Sequence, residues 1–324
     1  MILAGDVGAT KTLIGLYNFA PKRPVAVDVK SFATSQFDGL PAIIEEYLAQ
    51  RSGPPRLEAA CFGVAGPVID QHADLTNVPW AASADEVSRK FKLPRVRLLN
   101  DLEAMAHAIP VLDRDELLAL QKGQRRPGGN AALIAAGTGL GEAFMPSVGG
   151  KFRPLASEGG HADFAARTDR EIELVRGLRG ETGRVALEQV VSGPGLMNLY
   201  RFTHGDQPCE AVGALDSLPD APAVVSKSAL ERWCPKCEQA LEMFVEAYGA
   251  AAGNLALRAV ATAGLYIGGG IAPRILPALQ RGTFIRAFNA KPPMGELLES
   301  IPIQVILNPQ AALLGAAVYA NEMI

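Results

Sequence analysis

Hydrophobic and polar positions change period several times along the chain, and each change marks an element. Ile2-Leu3-Ala4 and Leu13-Ile14-Gly15-Leu16-Tyr17 are short β-type runs on either side of a small, polar segment, which predicts a hairpin. Leu40, Ile43, Ile44, Tyr47 and Leu48 recur at helical spacing on one face. Cys61-Phe62-Gly63-Val64 reads as a strand ended by Gly66-Pro67, and Ser83-Ala84-Asp85-Glu86 as a capping box opening a helix to about Phe91. Val96 to Leu99 is a further strand, followed by a helix through Leu102, Met105 and Ala106. Asn130 to Met145 repeats the layout of the first hairpin. After Phe164 the pattern becomes mainly helical, including a long segment with Leu241, Phe244, Val245 and Tyr248 on one face. A last strand, Ile303 to Leu307, and an Ala-rich helix from about Gln310 close the chain.

The turns carry the candidate chemistry. Gly5-Asp6-Val7-Gly8-Ala9-Thr10-Lys11-Thr12 offers a carboxylate, small residues and hydroxyl and ammonium donors. Successive backbone N–H groups in such a turn cradle anionic oxygens, and the aspartate can hold a phosphate-bound cation. The spacing does not fit a Walker A loop, and a strand rather than a helix follows. The second hairpin has the turn Gly137-Thr138-Gly139-Leu140-Gly141. Two such units imply an internally duplicated α/β architecture with one phosphate loop per half. A third cluster, Gly268-Gly269-Gly270, lies between the run Leu265-Tyr266-Ile267 and a helix expected near Pro273, where backbone can approach a nucleoside. Each cluster taken alone is also compatible with packing.

At 324 residues and 48% hydrophobic, the chain can bury a core large enough for two domains. A net charge of −3 gives no electrostatic footprint for nucleic acid or an anionic membrane surface. The long uncharged stretches, Arg126 to Glu142 and Arg258 to Arg274, are too short and glycine-rich to span a bilayer. The first strand and Asp6 begin almost at Met1, which leaves no room for a signal peptide. Cys234-Pro235-Lys236-Cys237 stands without a second pair or a nearby histidine pair, so it reads as a helix start carrying two thiols. The cysteine usage fits a reduced, cytoplasmic protein.

Three polar groups remain. Asn100-Asp101 sits at the end of a buried strand and the start of a helix, where α/β proteins hold ligands and where either residue would also serve as an ordinary N-cap. Glu158-Gly159-Gly160-His161 is a loop after the second hairpin, and a Glu or His there is often merely solvated. Glu188, in ALEQVVSGPG, reads equally as a charge on a helix surface.

The motifs together resemble bacterial glucokinase, the hexokinase relative within the sugar kinase and actin-like ATPase superfamily. GDVGATKT (5–12), LLNDLEAMAHAIP (98–110), AAGTGLGEA (135–143), SEGGHADFA (157–165), SGPGLMNLYR (192–201), IGGGIAPR (267–274) and NPQAALLGAA (308–317) carry the likeness. Gly8-Ala9 departs from the two adjacent glycines usual in the first loop, and the multi-cysteine zinc motif of the ROK sugar kinases is missing. The resemblance implies an α/β fold of duplicated actin-like (ribonuclease H-like) domains flanking a cleft. It divides the chain into a small domain, 1–110 completed by 302–324, and a large one, 111–301. It further implies ATP-dependent phosphorylation of glucose at the 6-hydroxyl, with Asp101 as general base. Asn100, Asp101, Glu158, His161 and Glu188 would bind the sugar. Gly5, Asp6, Val7, Gly8, Ala9 and Thr10, with Gly137, Thr138 and Gly268, Gly269 and Gly270, would surround ATP, and Asp6 would reach Mg²⁺, directly or through water. A homodimer in the cytoplasm completes the expectation. The alternatives are a kinase for another hexose or an amino sugar, or an actin-like ATPase acting as a regulator or sugar sensor.

Overall fold

The structure is a computed structural model of the chain. It describes residues 1–324 except 52, 54, 76, 77, 181, 182, 206, 208 and 214–219. The chain forms two compact units, one of Met1–Glu116 with Pro154–Ala156 and Asn308–Ile324, the other of Leu117–Arg153 and Ser157–Leu307. Among the described residues no helix is long and apolar enough to cross a membrane.

In the first unit the elements are β1 (Ile2–Val7), β2 (Lys11–Asn18), β3 (Val25–Ala33), α1 (Leu40–Ala49), β4 (Ala59–Val64), α2 (Ala84–Phe91), β5 (Val96–Asn100) and α3 (Asp101–Ala108), with a C-terminal helix, Ala311–Glu322. The sheet order is β3-β2-β1-β4-β5. β1 and β2 form the expected hairpin, while β1, β4 and β5 run parallel. Leu3, Val7, Phe62 and Val64 face a core covered by α1 and α2. Ile2, Ala4, Cys61 and Leu99 face the opposite core, against Ala104 of α3 and Leu313, Ala316 and Ala317 of the C-terminal helix. Gly315 makes that packing possible, because a Cβ there would lie 1.7 Å from the carbonyl oxygen of Ala104. Ser83 caps α2 by accepting from the Glu86 amide, as its sequence predicts.

The second unit contains β6 (Leu117–Gln121), β7 (Ala131–Ala136), β8 (Leu140–Met145), α4 (Asp169–Leu178), α5 (Gly193–His204), α6 (Ala221–Leu230), α7 (Pro235–Ala259), β9 (Gly264–Gly268) and β10 (Ile303–Ile306). Five of its strands run β8-β7-β9-β10-β6. β7 and β8 pair as a hairpin, and β7, β9 and β10 are parallel. A hairpin continued by two parallel strands is thus built in both units, as duplication requires. Their large core joins Ile134, Leu265, Ile267 and Val305 to Phe244 and Tyr248 of α7.

Four expectations need correction. Leu140 and Gly141 belong to β8, so the second turn is confined to Gly137-Thr138-Gly139. The helix after the third glycine cluster starts at Ile271, not near Pro273, because Pro is tolerated inside a first helical turn. The boundary expected at 110 lies at Glu116. Ile303–Ile306, expected to complete the first unit, pairs with β9 and β6 in the second, so the chain returns at Asn308.

Candidate active site

In the first unit the polar groups collect at the C-terminal ends of the parallel strands, where α/β sheets hold ligands. The register sets Asp6 opposite Gly63 and Val64 opposite Asn100. Side chains alternate along a strand, so Asp6 shares the face of Ile2 and Ala4, toward α3. Gly63 keeps that face open, since a Cβ there would meet Ala104 Cβ at 2.8 Å and Asp101 Cα at 3.5 Å. Burial pushes the Asp6 carboxyl up to about 6, opposed by the nearby ammonium of Lys11.

Beyond Asp6 the turn is held shut. The Gly8 amide donates to the Lys11 carbonyl at 3.1 Å, and the Thr34 amide to the Thr10 carbonyl at 3.1 Å. The Thr34 hydroxyl donates to the Gly8 carbonyl at 2.8 Å and lies 2.9 Å from that of Thr12. Gly8, Ala9 and Thr10 form the tip. Gly5 and Val7 lie within β1 instead: Val7 is buried in the core, and a Cβ on Gly5 would collide with Phe62 at 2.4 Å.

The N-cap of α3 is Asn100, not Asp101. Its Oδ1 accepts from the amides of Leu102 (2.9 Å) and Glu103 (3.3 Å), and its Nδ2 donates to the Gly66 carbonyl at 3.1 Å. The second N–H of that carboxamide makes no hydrogen bond among the described residues. Asp101 is the first helical residue, half-buried, with Oδ1 accepting from the Leu102 amide at 2.9 Å.

In the second unit Glu158, His161 and Glu188 come together. His161 Nδ1 lies 3.2 Å from Glu188 Oε1, and its Nε2 3.7 Å from Glu158 Oε2. Glu188 is not on a regular helix surface but on a single 3₁₀ turn, Leu187–Gln189. The loop is seated by its glycines: a Cβ on Gly159 would lie 2.1 Å from Glu142 Oε2, and one on Gly160 1.9 Å from the Leu140 carbonyl. The amide of Leu187 donates to the Ala162 carbonyl at 2.8 Å, and Arg184 donates to the His161 carbonyl. These bonds hold the 158 and 188 segments side by side. Glu188 also borders the turn of the second hairpin, since a Cβ on Gly139 would sit 3.1 Å from its Oε2.

That turn opens onto a cavity of about 520 Å³ within the second unit. Gly137 and Thr138 lie on one side and Gly270 with Ile271, Arg274 and Ile275 on another. Gly193, Pro194 and Leu196 of α5 and Pro222, Ala223 and Ser226 of α6 complete it. Its size and mainly apolar lining suit a nucleoside. Gly269 brings the third glycine cluster to the second, with φ at +83° and no room for a Cβ, which would lie 2.4 Å from the Ala136 carbonyl. The Gly193 amide donates to the Gly137 carbonyl at 2.8 Å, anchoring α5 on the turn. Arg274 pairs with Asp220 at 2.9 Å on the rim. Tyr248, buried in α7, accepts from the Ala136 amide at 3.2 Å and so fixes the strand that leads into Gly137. The α5 and α6 residues and Tyr248 were invisible as site residues in the sequence; SGPG before a helix was the nearest signal.

The model of the family described as Glucokinase matches residues 3–323. The chain belongs to the glucokinase family. It is 37% identical to a glucokinase of Nostoc sp. over 340 residues, covering 100% of this chain and 99% of that one. A Yersinia pestis glucokinase is 34% identical, covering 99% and 97%. The crystal structure of a glucokinase from an Antarctic psychrotroph matches with a TM-score of 0.84 at 32% identity, covering 99% of this chain and 98% of that one. A ROK family glucokinase from Streptomyces griseus, in complex with glucose and AMPPNP, shares the fold at a TM-score of 0.70 and 21% identity, covering 99% of each chain. The fold is therefore α/β of the actin-like ATPase type with two domains. Whole-length membership of an enzyme family does not favour the regulator or sensor reading.

Proposed function

We propose that in this glucokinase-family chain Asp101 is the general base that takes the proton of the glucose 6-hydroxyl as that oxygen attacks the γ-phosphorus of ATP, whose bond to the β,γ-bridging oxygen breaks to release ADP. The observation that carries the reading is the division of labour at α3. Asn100 already caps the helix, and Asp101 follows it on the face and at the strand end shared with Asp6. Its helix N-terminus favours the ionised carboxylate that a base requires. Glu158, His161, Glu188 and the remaining N–H of Asn100 bind the sugar hydroxyls; an imidazole between two carboxylates supplies both donors and acceptors for a polyol.

In the same reading the tip Gly8-Ala9-Thr10 and the turn Gly137-Thr138 hold the phosphates, and the cavity beside Gly270 holds the adenosine. Asp6 is the ligand for Mg²⁺. A carboxylate at a strand end suits that ion, which keeps waters and shares phosphate oxygens. When bound, Mg²⁺ neutralises phosphate charge. We also assign the chain a homodimeric state, checked by analytical ultracentrifugation. The reaction is tested with purified protein in a coupled assay across hexoses, amino sugars and donors. Glucose with ATP and Mg²⁺ is expected to give glucose 6-phosphate with the highest kcat/KM. A higher kcat/KM for another sugar would move the assignment to that sugar, and absence of transfer from ATP would overturn it.

A further inference from the structure

We propose that His204, Cys209, Cys234 and Cys237 form a tetrahedral zinc site of the Cys₃His type in the second unit. The sequence shows a single C-x-x-C pair, but the fold brings two more ligands to it from the end of α5 and the segment after it. One ligand atom from each residue lies within 4.8 Å of all the others. Cys209 Sγ is 4.0 Å from Cys237 Sγ, and His204 Nε2 is 3.5 Å from Cys234 Sγ and 3.9 Å from Cys237 Sγ. A tetrahedral zinc with Zn–S about 2.3 Å and Zn–N about 2.0–2.1 Å requires S···S about 3.8 Å and S···N about 3.6 Å. The three edges given lie within a few tenths of an ångström of those values, and every other edge is within 4.8 Å.

The surroundings select a metal over four unrelated side chains. His204 Nδ1 lies 2.9 Å from the Tyr200 carbonyl, which can only accept, so the ring proton resides on Nδ1 and Nε2 presents its lone pair to the thiols. The imidazole is stacked on Tyr200 with centroids 3.9 Å apart and is fixed in that orientation. Cys237 is fully buried, Cys209 and His204 are buried, and Cys234 is half-buried. The Ser228 hydroxyl is also fully buried, makes no hydrogen bond among the described residues, and lies beside Cys237 as a donor suited to a thiolate. All four coordination positions are filled by the chain, the mark of a structural rather than a catalytic zinc. Such an ion would staple the C-terminal end of α5, whose other end borders the nucleotide cavity, to the first turn of α7.

The test is metal analysis of the untagged full-length protein, expressed with added zinc and dialysed against metal-free buffer. About one zinc per chain is expected, with an absorption-edge spectrum showing three sulfurs and one nitrogen. The Cys209→Ser and Cys237→Ser variants should lose most of it, and a strong chelator should lower the wild-type melting temperature. Folded, active wild-type protein that holds less than about a tenth of an equivalent after zinc loading would overturn the site. So would a Cys209–Cys237 disulfide in that metal-free protein, or full zinc retention by both variants.

Discussion

At the scale of single residues the carboxylates divide by what surrounds them. Glu158 faces solvent and His161, and its charge has work only if a ligand's hydroxyls reach it. Glu158→Gln is expected to raise the glucose KM by about 10- to 100-fold, since a hydrogen bond to a charged group contributes about 1.5–3 kcal/mol. Steady-state kinetics with unchanged KM would return Glu158 to the solvated surface. Glu142, beneath the same loop, is buried with Oε2 unbonded among the described residues, and Arg258 stands 3.9 Å away. Burial raises its pKa, with Arg258 opposing. The folded chain therefore keeps a proton that the unfolded chain releases near 4.5, and stability is lost as pH rises through that window. Glu142→Gln should raise the melting temperature at pH 8, with the gain shrinking as the pH is lowered toward 4.5. A destabilised variant at pH 8 would show that the buried charge has a partner of real strength.

Among elements, Glu116 is the clearest case of one residue holding several. Arg23 grips both its oxygens at 2.6 and 2.9 Å, Asn308 donates to it at 2.7 Å, and so does the Asp113 amide. It therefore fixes both the point where the chain leaves the first unit and the point where it returns. The Arg23 hydrogen bonds hold its carboxyl at about 2, below the ordinary 4.5, against the opposing effect of burial. That stability is complete above pH 4.5 and is lost as the pH falls toward 2. Glu116→Gln should cost about 1–2 kcal/mol at pH 7, discounted for the partial exposure of Arg23, and almost nothing near pH 2. Denaturant melts at both pH values read this, and an equal cost at each would rule out the ion pair as its source. The helices α1 and α2 were legible because one buried face imposes a simple period, and the parallel strands because burial on both faces leaves a short continuous apolar run. β3 was not, because it is an edge strand with an exposed, charged sequence. The partner of Ile303–Ile306 was equally hidden, since alternation marks a strand without naming its sheet.

For the whole molecule, short motifs suggested candidate groups in the sequence, and the contacts between distant segments were hidden in it. GTG, EGGH and ND could be read as phosphate, polyol and base groups. That Asn100 is the cap, that Glu188 abuts Gly139, and that His204 and Cys209 join the C-x-x-C pair depend on tertiary placement. The central claim is that Asp101 takes the proton of the sugar's 6-hydroxyl. The most direct test is kcat of Asp101→Asn beside its glucose Kd by calorimetry and its melting temperature. Asn100 still caps α3 and Asn at the next position keeps the side chain's shape, so folding and measurable glucose affinity should persist. Without an acceptor for the proton, kcat should fall by about 10²–10⁴. Near-wild-type turnover in a folded, glucose-binding Asp101→Asn protein would contradict the account.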